Sequence, residues 1–202
     1  MFSGIVSEVG DVLGVSSLSS GREVSIHVSD DVCKRVKVGD SVAVNGVCST
    51  LVSHQDGVFV FQYLPETLSK SNLDSLIVGA KVNIELSLRL DDFVSGHLVS
   101  GHVDAVGVID ACQRDDDWHV FRFSYPKKYS QLLVEKGWIV VDGIALTVVD
   151  LNDHFFTCHI IPHTYTQTVL SSKVVGDSVN LEFDMIAKYV QRFVMVNHRR
   201  EI

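Results

Sequence analysis

Several things are scarce or missing here, and each absence narrows the field. No apolar run approaches the ~20 residues needed to cross a bilayer. The opening MFSGIV has no basic stretch and runs into Ser7 and Glu8, so it does not read as a secretory leader. The four cysteines, Cys33, Cys48, Cys112 and Cys158, are far apart and form no C-x-x-C pair. That suits a reducing cytoplasm better than a disulfide framework or a zinc site. Basic residues are in deficit: 17 Lys and Arg against 25 Asp and Glu leave a formal charge of −8, which does not attract phosphate backbones. His198, Arg199 and Arg200 are too few to reverse this and suit the C-terminal end of a helix dipole. No G-x-G-x-x-G unit joins a strand to a helix, which speaks against a flavin-reductase type of barrel with its nucleotide-binding domain. The expectation is a cytoplasmic protein without membrane, nucleic-acid or metal chemistry.

What is present is a repeat. Ser3-Gly4-Ile5-Val6 returns as Ser100-Gly101-His102-Val103, and Val44-Asn45-Gly46-Val47-Cys48-Ser49-Thr50 as Val141-Asp142-Gly143-Ile144-Ala145-Leu146-Thr147. Pro65-Glu66-Thr67 returns as Pro162-His163-Thr164, and Val82-Asn83-Ile84-Glu85 as Val179-Asn180-Leu181-Glu182. Every pair is 97 positions apart, as Thr50 is from Thr147. One register over nearly the whole chain implies two homologous domains of roughly 85 to 90 residues, joined near Arg89 to Ser95. The boundaries expected are 1–94 and 95–184, with a tail over 185–202.

Segments such as Glu23–Val28, Ser41–Val44, Val58–Gln62 and Lys81–Leu86 are rich in Val, Ile and Phe and often alternate with polar residues, the pattern of strands. Asn45-Gly46, Asp56-Gly57 and Asp142-Gly143 supply tight turns. An antiparallel Greek-key barrel or sandwich is expected in each half, with short helices over Asp30–Lys37 and Lys127–Glu135. The tail differs: Met185, Ile186, Tyr189, Val190, Phe193 and Val194 form one apolar helical stripe, with Asp184 as N-cap. That stripe either covers its own barrels or makes an oligomer contact.

MFSGIV, NGVCST, SGHLVSGHVDAVG, DGIALTV and the final FDMIAKYVQRF together resemble the riboflavin synthase family, over essentially the whole chain and in the expected order. The resemblance implies an all-β fold of two homologous six-stranded antiparallel Greek-key barrels plus a C-terminal amphipathic helix that assembles a homotrimer. It implies that each barrel holds one molecule of 6,7-dimethyl-8-ribityllumazine, with the active site between barrels of neighbouring subunits and lumazine synthase as a further partner. The activity implied is a dismutation, in which one lumazine gives a four-carbon unit to another. The products are riboflavin and 5-amino-6-ribitylamino-uracil, in the last step of riboflavin biosynthesis, with no cofactor. A non-catalytic lumazine- or flavin-binding relative, of the kind that accompanies light emission, is the alternative. Such proteins tend to lose the SGHLVSGH motif.

The repeat separates shared from distinct positions. Thr50 with Thr147, and Thr67 with Thr164, recur, and their hydroxyls suit the edges of a pteridine or its ribityl chain; a β-branched residue that simply fits a strand is the competing reading. Gly4 and Gly101 suit close backbone approach. Cys48 faces Ala145 in the alignment of repeats, so the thiol is unique to one half. By itself a lone cysteine is usually a small buried hydrophobe; the resemblance makes it a group that adds to, or touches, the donor ring. His102 stands where the first half has Ile5, and the resemblance gives it a role in orienting substrate or moving protons. The resemblance adds Ser41, Lys136 and Asp184 as catalytic candidates. The last two lack charged counterparts, since Gly39 and Ser87 stand in their places, and a solvated charge or a helix cap is the competing reading. Phe2, Ser3, Gly4, Ile5, Val6, Gly101, Val103, Ala145 and Ile161 complete the expected substrate contacts, although Phe2 suits core packing nearly as well. His97 and His102 form H-x4-H, a spacing that would set them on opposite faces of a strand and speaks against a metal. The chain departs from the family at Ala145, where serine is usual, at Ser49 in place of leucine, and at Ser95 in place of glycine.

Overall fold

Alternation of side chains builds the strands. In Val58–Tyr63, Phe59, Phe61 and Tyr63 are buried while Gln62 faces out, as a period of two requires. The computed structural model describes residues 1–198, so the helix-end role expected of Arg199 and Arg200 lies outside the described residues. β1 (Glu8–Leu18), β2 (Gly21–His27), β3 (Ser41–Val44), β4 (Val47–Gln55), β5 (Val58–Tyr63) and β6 (Lys81–Leu86) form a closed antiparallel barrel in the order β1-β2-β5-β4-β3-β6. The second half repeats this order with β7 (Ala105–Asp115), β8 (Trp118–Ser124), β9 (Trp138–Val141), β10 (Ile144–Thr147), β11 (Phe155–Ile160) and β12 (Ser178–Phe183). Here β10 stops early. The seam to β11 is held by the Val149 N–H on the Thr157 carbonyl (2.8 Å) and the Thr157 N–H on the Asp150 carbonyl (2.9 Å). The expectation of two six-stranded antiparallel units followed by a helix holds.

Each unit has its own core. Ile26, Leu51, Phe59, Phe61 and Ile84 fill the first, and Ile109, Phe121, Phe123, Phe156 and Phe183 the second, all without solvent exposure. Truncating one such phenylalanine to alanine costs about 3–5 kcal/mol. The helices are short: α1 (Asp30–Cys33), α2 (Pro65–Lys70) and α3 (Pro162–Thr166), with α4 (Met185–His198) at the end. The expected helix over Asp30–Lys37 is capped by Ser29 but ends at Cys33, where the β-branched Val36 and Val38 and then Gly39 offer poor continuation. Its counterpart is a 3-10 turn over Lys127–Leu132.

The halves meet about an approximate twofold axis. The Asn45-Gly46 and Asp142-Gly143 turns lie back to back: a Cβ on Gly46 would stand 2.7 Å from the Gly143 nitrogen, and one on Gly143 2.8 Å from that of Gly46. Amides exchange bonds across the axis. Asn83 Nδ2 donates to the Asp142 carbonyl and Asn180 Nδ2 to the Asn45 carbonyl, both at 2.8 Å. Asp142 is fully buried, with Lys173 Nζ 3.4 Å from its Oδ2. Burial pushes its carboxyl above the ordinary aspartate value, against the pull of Lys173. In the first half Asn45 and Leu76 replace this pair.

Candidate functional site

On β4 the inward residues Val47, Ser49 and Leu51 are buried, so Cys48 and Thr50 face outward. Across the ladder Ala43 pairs with Cys48 and Ser41 with Thr50. Cys48 therefore sits on the outer wall of the first barrel, and the second repeat supplies what lies over it. The Cys48 N–H donates to the Gly101 carbonyl at 2.8 Å. Gly101 approaches so closely that a Cβ there would lie 2.7 Å from that of Cys48 and 2.9 Å from the Phe2 ring, and its φ is +78°. Only glycine takes that position without strain. Val103 packs against the first barrel's core.

Glu182 fixes this crossing segment. Its Oε1 accepts the Ser100 N–H (2.7 Å) and hydroxyl (2.6 Å), and its Oε2 accepts the Gly101 N–H (2.9 Å). Behind Gly101 the His102 side chain is exposed. The result is a cleft of about 240 Å³ lined by Cys48, Thr67, Gly101, His102 and Val103, with Glu66, Lys70 and Ser71 from α2 and its end. The last three were not singled out from the sequence. Glu66 and Lys70 flank Thr67 on one short helix, and Ser71 Oγ donates to the Thr67 carbonyl at 2.7 Å; the helix itself was the missing signal.

The first repeat returns the crossing. Ser3 and Gly4 are held by Glu85, which accepts both their N–H groups (2.7 and 3.1 Å) and the Ser3 hydroxyl (2.8 Å). Burial raises the Glu85 carboxyl above its ordinary value, opposed by these same donors. The Ala145 N–H donates to the Gly4 carbonyl at 2.8 Å, and Val6 packs on the second core. In this frame Ile5 stands where the other has His102, and Ala145 where it has Cys48. Thr164 keeps its place on α3, its carbonyl accepting from Thr168 Oγ1 at 2.7 Å, and Ile161 precedes that helix.

A second cleft, of about 300 Å³, lies beside the start of α4 and is lined by His97, Leu98, Trp138, Asp184, Met185 and Ile186 among others. The His97 ring stacks on Trp138, with centroids 5.1 Å apart and planes within 10°. Burial lowers the imidazole below the ordinary histidine value, and Asp184 pulls it partly back. Asp184 caps α4 through the Ile186 N–H on its Oδ1 (2.9 Å). Trp138 pairs across the ladder with Thr147.

The remaining candidates are dispersed. Ser41 and Lys136 line neither cleft. Phe2 is fully buried between the barrels with Ala43, Val99 and Val140. Lys136 is exposed with φ +63°, the left-handed conformation its counterpart Gly39 adopts at +92°. A lysine there costs roughly 1 kcal/mol against glycine, which marks the position. His97 and His102 lie off the strands, one buried and one exposed, and no group of three metal-binding side chains occurs among the described residues.

Known proteins resemble this chain in sequence and fold. The family model described as the lumazine binding domain matches twice, over residues 3–87 and 100–184. Riboflavin synthase of Mycobacterium tuberculosis is 43% identical over 198 residues, covering 96% of this chain and 98% of that protein. The chain belongs to the riboflavin synthase family. Within that family, the Bacillus subtilis riboflavin synthase is 35% identical over 194 residues, covering 96% of this chain and 90% of that protein. Among solved structures, LumP complexed with riboflavin aligns with a TM-score of 0.86 at 22% identity, over 91% of this chain and 100% of that one, a likeness of fold. The synthases carry the closer relationship in sequence.

Proposed function

We infer that this chain is a riboflavin synthase. It converts two molecules of 6,7-dimethyl-8-ribityllumazine into riboflavin and 5-amino-6-ribitylamino-uracil by transfer of a four-carbon unit. The observation that carries the reading is full-length similarity to synthases in a chain whose two lumazine-binding frames both persist. The difference between the frames fits the reaction. A dismutation of identical molecules needs one to act as donor and the other as acceptor, so two alike pockets must differ in chemistry. Cys48 and His102, from different repeats, share one cleft, while Ala145 and Ile5 hold the corresponding places in the other frame.

In this reading the Cys48 cleft takes the donor. The thiol adds to the donor ring or contacts it, and His102 moves protons at the same ring. Thr50 and Thr67, with Thr147 and Thr164 in the second frame, hold polar edges and ribityl hydroxyls. Ser41, paired with Thr50 on the same barrel, joins them, and Lys136 and Asp184 complete the site from across a subunit boundary. The C7 methyl group of the acceptor is acidic because its carbanion delocalises into the ring. Holding two such rings in opposed orientation contributes an effect of up to ~7–11 kcal/mol.

A homotrimer follows from the same reading. α4 leaves Tyr189 76% and Phe193 70% exposed, with Ile186 and Val190 beside them, an apolar face suited to copies of itself. Residues 1–94 and 95–184 are then the two lumazine-binding barrels and 185–202 the assembling segment. The reducing cytoplasm, where four unpaired thiols are stable, is the proposed location, and lumazine synthase a proposed partner. No helix among the described residues is long and apolar enough to cross a membrane.

The test is to incubate purified protein with 6,7-dimethyl-8-ribityllumazine alone and follow riboflavin by absorbance. Turnover without added metal, flavin or nicotinamide is expected. Binding without turnover would overturn the synthase reading in favour of a carrier.

A further inference from the structure

A cleft of about 460 Å³ opens between the residues after α1 and those leaving β6, and it shares no residue with either cleft above. Lys34, Arg35, Lys37 and Arg89 line it together with Asp40 and Asp92. Four cations against two carboxylates leave an excess of two positive charges, on a chain whose formal charge is −8.

Both carboxylates are already engaged by backbone. Asp40 Oδ2 accepts the Lys37 N–H at 3.0 Å, and Asp92 Oδ2 accepts the Arg89 N–H at 2.8 Å. Among the described residues, none of the four cations forms an ion pair within 4.0 Å. Arg89 Nη2 donates instead to the Arg35 carbonyl at 3.3 Å. Val36 and Leu86 form a floor that packs on the first barrel's core. Like charges gathered over an apolar floor repel one another and focus a positive field outward.

The repeat makes the contrast sharp. The corresponding positions of the second half are Gln131, Leu132, Val134 and Ile186, none of them charged. There α4 lies against the equivalent turn, with Gln191 Nε2 donating to Gln131 Oε1 at 3.1 Å. The fold fills this place once with its own helix and leaves it once open and basic.

We propose that this cleft binds a phosphorylated small molecule of nucleotide size. Its volume falls within the range of ligand pockets, about 300–1,000 Å³. Guanidinium and ammonium groups without a carboxylate partner match phosphate oxygens. The phosphate belongs to a nucleotide, a sugar phosphate or pyrophosphate itself, and the probes separate these.

The full chain is titrated calorimetrically at low salt with inorganic pyrophosphate, adenosine 5′-monophosphate and ribose 5-phosphate. The same titrations follow on Lys37→Gln/Arg89→Gln and, as a second pair, Lys34→Gln/Lys37→Gln. The substituted side chains are exposed, so thermal midpoints close to wild type are expected. Saturable binding of at least one probe, weakened about tenfold or more in both variants and by added salt, with riboflavin binding unchanged, supports the site. Tighter binding of the nucleotide than of pyrophosphate assigns contacts to the base; equal binding assigns recognition to phosphate alone. No saturable binding in the millimolar range overturns the proposal. So does binding that the variants retain, or that riboflavin displaces.

Discussion

Replacing Lys173 with leucine places the residue of the first repeat, Leu76, into the second. It also removes the cation 3.4 Å from a carboxylate with no solvent exposure. Asp142 Oδ1 keeps its donors, Asn72 Nδ2 at 2.9 Å and the Asn180 N–H at 2.7 Å. Its Oδ2 is left without a charged neighbour. Removing one partner of a buried pair typically costs about 3–5 kcal/mol, a large part of the 5–15 kcal/mol that holds a typical native state. The chain itself shows the compensated form: Asn45 Oδ1 accepts the Asn83 N–H at 2.8 Å beside Leu76, as Asp142 accepts that of Asn180 beside Lys173. Asp142→Asn/Lys173→Leu is therefore expected to cost at least about 2 kcal/mol less than Lys173→Leu alone. Urea unfolding followed by tryptophan fluorescence, with both single variants closing the cycle, measures this. The pH dependence has a definite sign. The folded Asp142 carboxyl titrates above its unfolded value, so its contribution is fully present below the unfolded value and is lost as pH rises through the folded one. Asp142→Asn should gain on wild type as pH rises above the ordinary aspartate value of about 4. A Lys173→Leu cost under about 1 kcal/mol, or strictly additive costs in the cycle, would refute the reasoning.

Cys48→Ala should lower turnover about 100-fold or more while lumazine affinity, by fluorescence titration, stays within severalfold; an unchanged kcat removes the thiol from the chemistry. Gly101→Ala forces a Cβ against Cys48 and Phe2 at positive φ and should cost about 2–4 kcal/mol and weaken lumazine binding; wild-type behaviour in both would contradict the close approach. Lys136→Gly should leave stability unchanged or raise it by up to ~1 kcal/mol, by relieving the left-handed backbone, and still lower turnover; a less stable but equally active variant would make the lysine structural. Deleting residues 187–202 should give monomers of low activity by light scattering and assay, and a fully active monomer would remove α4 from assembly.

The strands and their repetition were plain in the sequence because side-chain alternation and turn glycines are local. Ser41–Val44 and Lys81–Leu86 are observed with the expected bounds. The short helices were less legible, since in α1 a good cap competes with β-branched residues over a few positions. The crossing could not be read at all. Ser3-Gly4 and Ser100-Gly101 announce themselves as a pair, but nothing in a repeat says which barrel each copy will touch. The carboxylates that hold them, Glu85 and Glu182, were visible only as the ends of matching strands. Cys48 and His102 were each singled out as unpaired between repeats; that they share a cleft is a tertiary fact.

That crossing bears on how the two halves came to differ. In a symmetric pair of single-barrel ancestors, every substitution would appear in both pockets at once, and donor and acceptor sites could never diverge. Once the copies are fused, a pocket draws one wall from each, so a change in either copy reaches one pocket only. A thiol fixed in the first copy and an imidazole fixed in the second then land together on one side, while alanine and isoleucine hold their places on the other. Duplication with exchanged walls is in this way a route to two unequal sites for a single compound.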